Sequence, residues 1–152
     1  MKVYSFANIQ ARPRPTKSDL NNHWIFGATR CVINVSTQAT EFEKEYEEKD
    51  ISYYHFPLQE NVSDIGIENL LSVVKVLLRN IKNNTPTIVH CSGGVNRSRS
   101  VVEATYYAIR HSHLQDEYKG CYNHLIWNIE HNFVPYSLPE VEKLLIALTS
   151  PT

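Results

Sequence analysis

A chain of 152 residues is one domain's worth, and a domain of that size buries about 68–70% of the surface its unfolded form exposes, so it needs no disulfide or metal staple. Apolar residues at 42% and charged residues at 20% are ordinary globular values, and no apolar run is long enough to cross a bilayer. Fifteen Lys and Arg against sixteen Asp and Glu leave a formal net charge of −1, which gives no whole-chain basic surface for nucleic acid or anionic lipid.

The N-terminus, Met1-Lys-Val-Tyr-Ser-Phe-Ala-Asn8, has no long apolar stretch and no small-residue cleavage site, so no signal peptide is expected. Three cysteines are too few, and odd in number, for a disulfide framework; they suit a reducing compartment, and a cytoplasmic location is the expectation. No repeat, low-complexity tract or linker-like shift interrupts the chain, and residues 1–152 parse as a single domain.

In chain order, Ala11-Arg-Pro-Arg-Pro15 reads as the densest irregular stretch, its prolines barring a helix there, and Thr16-Lys-Ser-Asp-Leu20 opens one, with Thr16 or Ser18 able to cap it. Cys31-Val-Ile-Asn-Val35, Ile51-Ser-Tyr-Tyr-His-Phe56 and Thr87-Ile-Val-His90 are short and rich in β-branched or aromatic residues, so each predicts a strand. Between the second and third, Ile67, Leu70, Leu71, Val74, Leu77, Leu78 and Ile81 recur at helical spacing. They predict an amphipathic helix that has Asp64 at its N-cap position and ends near Asn83-Asn84. Further helical patterns run from Val101 to Ile109, through Tyr122, Leu125, Ile126, Ile129 and Phe133, and through Val141, Leu144, Leu145 and Leu148. The last opens on Ser137-Leu-Pro-Glu140, a capping-box pattern. Strands alternating with helices imply an α/β fold with a mostly parallel sheet, whose ligands bind beyond the carboxyl ends of the strands. The residues after His90 are therefore where chemistry is expected.

Those residues are Cys91-Ser92-Gly93-Gly94-Val95-Asn96-Arg97-Ser98, between an apolar strand and a helix. Gly93 and Gly94 let the backbone curl into a nest whose N–H groups, from Ser92 to Arg97, point at one anion, and the helix beginning near Arg97 adds its positive end. Arg97 offers a planar fork able to hold two phosphoryl oxygens. The same field favours the thiolate of Cys91 and makes it a nucleophile.

The run His90-Cys91-Ser92-Gly93-Gly94-Val95-Asn96-Arg97-Ser98 resembles the phosphate loop of the dual-specificity and protein tyrosine phosphatases, H-C-x-x-G-x-x-R-[ST]. The resemblance implies an α/β fold of that family, a central mostly parallel sheet of four to five strands flanked by helices. It also implies a metal-free, cofactor-free phosphatase of phosphotyrosine, phosphoserine and phosphothreonine in proteins. Cys91 is then the nucleophile, Arg97 the phosphate clamp, Ser98 the hydroxyl that assists departure of the thiolate, and His90 a supporter of the loop. In this family an aspartate on the loop after the preceding strand protonates the leaving group. Here the corresponding position, 31 before the cysteine, is Glu60, a departure from Asp to Glu; Asp64 is the rival.

Arg99 is a second departure, either a solvated arginine or extra positive potential at the rim. Cys31 and Cys121 read as core residues, either of which could shield an oxidised Cys91 by a reversible disulfide. Two further functions compete. Asn96 before the loop arginine is also found in relatives that are RNA 5′-phosphatases, which would make an RNA 5′-phosphate the substrate, and a non-catalytic phosphate-binding module is the third. No membrane partner is expected.

Overall fold

The computed structural model describes residues 4–59, 61–92, 96–111 and 136–149. In these residues five strands form one sheet in the order β1-β2-β5-β3-β4, where β1 is Tyr4–Phe6, β2 is Ile9–Arg12, β3 is Cys31–Asn34, β4 is Ser52–His55 and β5 is Thr87–His90. Only β1 runs antiparallel to its neighbour; β2, β5, β3 and β4 are parallel. This is the mostly parallel α/β sheet expected.

Two layers cover the sheet. On one face Ile9, Ala11, Cys31, Ile33, Val35 and Val89 pack against α4 (Asp64–Lys82), α5 (Asn96–Arg110) and α6 (Pro139–Ala147). On the other, Val32 and Ile88 pack with Leu20, Phe26, Tyr46 and Ile51 from the region of α1 (Lys17–Leu20), α2 (His23–Phe26) and α3 (Glu43–Glu48). Strands buried on both faces read as continuous apolar runs, which is why β3 and β5 were legible. Each fully buried Ile or Val there contributes about 1.5–3 kcal/mol.

Three local expectations are corrected. Ala11-Arg-Pro-Arg-Pro15 is not irregular throughout: Ala11 and Arg12 close β2, paired with Val89 and His90. Pro13 has no N–H for the ladder and interrupts it, and the Arg14 amide then donates to the Ser92 carbonyl at 3.0 Å. The N-cap of α4 is Ser63, whose hydroxyl accepts from the Gly66 amide at 3.0 Å; Asp64 is the first helical residue, exposed beside the positive helix end. Ser137 does not cap α6. Its N-cap is Leu138, extended at φ −119° and ψ 146°, with Pro139 at the first helical position. A residue before proline is barred from the α region, so Leu138 cannot be helical and the start moves one residue on.

Other ends agree with the sequence. Thr16 caps α1 in a reciprocal box with Asp19, and α4 ends at Asn83, with Asn84 left-handed at φ 54°. The helical pattern from Tyr122 to Phe133, and Cys121 before it, lie outside the described residues. Cys31 is buried in the core, as expected. No described helix is long and apolar enough to cross a membrane.

Candidate active site

The carboxyl ends of β2, β5 and β3 meet at Cys91. Val35 donates its amide to the His90 carbonyl at 2.9 Å, and Arg14 donates to Ser92 at 3.0 Å, so the chain is held on both sides as it leaves the sheet. Cys91 is 3% exposed. Its Sγ lies 3.8 Å from the buried Ser98 Oγ, one turn into α5, a separation at which a thiol and a hydroxyl share a weak hydrogen bond. The nucleophile candidate thus sits near the amino end of a 15-residue helix, whose positive end favours negative charge.

Arg97 spans two loops. Nη1 donates to the Leu58 carbonyl at 3.1 Å, and Nη2 donates to Ser92 Oγ. Leu58 itself is buried and donates its amide to the Val35 carbonyl at 2.9 Å. The loop after β4 is pinned further by Asn69 Nδ2, which donates to the Pro57 carbonyl at 2.7 Å, and by the Tyr136 hydroxyl, which donates to the Gln59 carbonyl at 3.4 Å. The loop after β4, which leads to Glu60, is therefore anchored to Arg97 at its base. Glu60, Gly93, Gly94 and Val95 lie outside the described residues, and Asn96 is placed as the first residue of α5. The structure thus brings together Cys91, Ser92, Arg97 and Ser98, while Asp64 stands exposed at the start of α4.

His90 is fully buried, and its Nδ1–H donates to the Cys91 carbonyl at 3.1 Å. Burial in the sheet pushes its pKa down from 6.5 to about 4, against the raising effect of that hydrogen bond, so the ring is neutral at physiological pH. Its hydrogen bond ties the ring to the backbone where the chain leaves β5. Arg99 Nε pairs with the buried Glu103 one turn along α5 at 3.0 Å, so it is a structural partner and not simply a solvated arginine.

Sequence reasoning did not single out Leu58, Tyr136 or Arg14. Leu58 acts through its carbonyl, and any residue type supplies one. Tyr136 follows a helical pattern and reads as core. Arg14 is hidden between two prolines.

No family model matches the chain. A curated relative from Fowlpox virus (strain NVSL), a probable dual specificity protein phosphatase H1 homolog, is 28% identical over 82 residues. That match covers 53% of this chain and 46% of the relative, so the chain aligns with less than half the relative's length. Among solved structures, DUSP15 superposes with a TM-score of 0.61 at 13% identity, covering 96% of this chain and 94% of that one. The core catalytic domain of the PP-IP phosphatase SIW14 from S. cerevisiae superposes with a TM-score of 0.59 at 12% identity, covering 95% and 83%. The five-stranded sheet and its helices are thus the fold of these phosphatases, and the sequence resemblance to the dual-specificity group extends beyond the loop.

Proposed function

We propose that this chain, which has the fold of the protein tyrosine and dual-specificity phosphatases and a phosphate loop like theirs, is a cysteine-dependent phosphatase of phosphate monoesters. The observation that carries the reading is the position of Cys91: it leaves the end of β5 at the amino terminus of α5, with Ser98 Oγ at 3.8 Å and the Arg97 fork at the neighbouring Ser92. That arrangement suits a thiolate nucleophile facing a bound dianion.

In the proposed reaction Cys91 Sγ forms a bond to phosphorus as the bond to the leaving oxygen breaks, and Glu60 gives its proton to that oxygen. Water then attacks the cysteinyl-phosphate, Glu60 takes a proton from the water, and the Ser98 hydroxyl supports the thiolate as the P–S bond breaks. Arg97 holds two phosphoryl oxygens, together with the backbone amides of residues 92–97. The anchoring of Leu58 to Arg97 supports Glu60, two residues further along, as the acid. Asp64, at the first position of α4, is suited to the helix end. The substrates are phosphotyrosine, phosphoserine and phosphothreonine in cytoplasmic proteins, taken into a shallow pocket.

Hydrolysis of p-nitrophenyl phosphate with a chelator present, by the native protein and by Cys91→Ser, tests the reading. Turnover that vanadate blocks and the substitution abolishes is expected; turnover surviving in Cys91→Ser, or none in the native protein, contradicts it. Glu60→Gln should slow poor leaving groups far more than good ones, while Asp64→Asn should not. A panel of phosphopeptides, an RNA 5′-phosphate and, because one structural neighbour is described as a PP-IP phosphatase, an inositol pyrophosphate then ranks substrates.

A further inference from the structure

Arg14 stands between Pro13 and Pro15 on the extension of β2. Pro15 holds the residue before it extended, and the Arg14 amide is fixed to the Ser92 carbonyl at 3.0 Å. Its side chain reaches the loop after β3, where Nη1 donates to the Ala39 carbonyl at 3.2 Å and Nη2 donates to Ser36 Oγ at 2.8 Å and to the Gln38 carbonyl at 2.9 Å. In the sheet β5 lies between β2 and β3. A side chain that starts beside β2 and ends on the β3 loop crosses the end of β5, where His90, Cys91 and Ser92 leave the sheet.

The acceptors are themselves fixed. Asn34, fully buried, accepts from the Ser36 amide and hydroxyl at 2.9 and 2.7 Å and donates to the Gln38 carbonyl at 2.8 Å. All three partners of the guanidinium are neutral, and among the described residues no carboxylate forms an ion pair with Arg14. A cation held by neutral dipoles keeps its field, and partial burial screens that field less than water would. Burial is the main cause of the lowered pKa of His90 and the raised pKa of Tyr46, and the charge of Arg14 adds to the first shift and opposes the second.

We propose that Arg14 is a second cation of the anion site, a positioning residue that sets positive potential where Cys91 and Ser92 leave β5, through its charge and without touching the substrate. The inference rests on residues 91–97 being the anion site. Nothing in the resemblance, or in the mechanism above, gives Arg14 a role.

The test compares alkylation of Cys91 by anionic iodoacetate and neutral iodoacetamide at one pH, resolved by peptide mass, in the native protein, Arg14→Met and Arg14→Lys. The rate ratio reads local potential and needs no turnover, so failure of the phosphatase reading, seen as absent hydrolysis, is distinct from failure here. Loss of the charge in Arg14→Met is expected to lower the iodoacetate preference about fivefold or more and to weaken vanadate inhibition in parallel, whereas Arg14→Lys stays within about twofold of native. Ser36→Ala, which removes one acceptor and no charge, should also stay within about twofold, and Arg14→Gln serves if Arg14→Met does not fold. An unchanged ratio in the neutral variants overturns the proposal. So does an equal fall in Arg14→Lys or Ser36→Ala, which would make Arg14 a brace whose charge is immaterial.

Discussion

Gly66 is the third residue of α4, and replacing it by alanine puts a methyl group where the Tyr136 hydroxyl lies, with the ring carbon Cζ only 3.2 Å away. Tyr136 is 1% exposed and cannot swing into solvent, and its hydroxyl holds the Gln59 carbonyl, next to the proposed acid. Overpacking of this kind costs about 1–3 kcal/mol. The helix-propensity gain of alanine over glycine offsets at most about 1 kcal/mol of that. Because the added methyl would collide with a buried hydroxyl, the cost lies in the upper part of that range, about 2–3 kcal/mol, and the net loss of about 1–2 kcal/mol lowers the melting temperature of a domain this size by roughly 2–8 °C. Tyr136→Phe removes the offending oxygen at the expense of one long hydrogen bond, about 0.5–1 kcal/mol. The two substitutions together should therefore be less destabilising than their sum by at least about 0.5 kcal/mol, a coupling that thermal or denaturant unfolding of the four proteins measures. Turnover on poor leaving groups should fall in Gly66→Ala as the Gln59 anchor shifts. A neutral or stabilising Gly66→Ala, or strict additivity, would refute the placement of Tyr136 against the start of α4.

Because His90 has a pKa of about 4 when folded and 6.5 when free, the unfolded chain binds a proton that the native state refuses between those values. Stability from this group is fully present above pH 6.5 and falls as pH drops toward 4, by about 3 kcal/mol in total; denaturant titrations of His90→Asn should show a shallower pH slope, and an identical slope would exclude His90 as the source. Asn34→Ala strands the buried Ser36 amide and removes one of the ties on the Gln38 carbonyl, while the Ser36 hydroxyl keeps the Gln38 carbonyl and Arg14 as partners, and unfolding should register a loss of about 1–3 kcal/mol. Arg97→Lys keeps the charge and loses the fork that spans Leu58 and Ser92, so kcat/KM on p-nitrophenyl phosphate should fall at least about 100-fold, and a loss under tenfold would deny Arg97 the clamp role.

What the sequence made legible follows from where the physics is local. β3, β5 and α4 announce themselves because full burial writes continuous apolar runs and a 3.6-residue stripe. β1 and β2 were not read from the pattern, because Tyr4–Phe6 is three residues long and Pro13 masks the end of β2. α3 carries five charged residues around the single buried Tyr46, so no stripe marks it. In the site, Cys91, Arg97 and Ser98 were legible because their spacing is fixed by one strand-to-helix turn. The ties through Leu58, Tyr136 and Arg14 join positions 39, 77 and 22 to 25 residues apart, which only tertiary folding brings together.

The most direct test of the central claim is a search for the covalent intermediate. The protein is mixed with p-nitrophenyl phosphate, quenched in acid within the first turnovers and mapped by peptide mass, with Cys91→Ser as control. A phosphoryl group on Cys91 that decays with kinetics matching turnover is the predicted result; hydrolysis that proceeds with the phosphoryl group on another residue, or with Cys91 never labelled, would contradict the assignment of Cys91 as nucleophile.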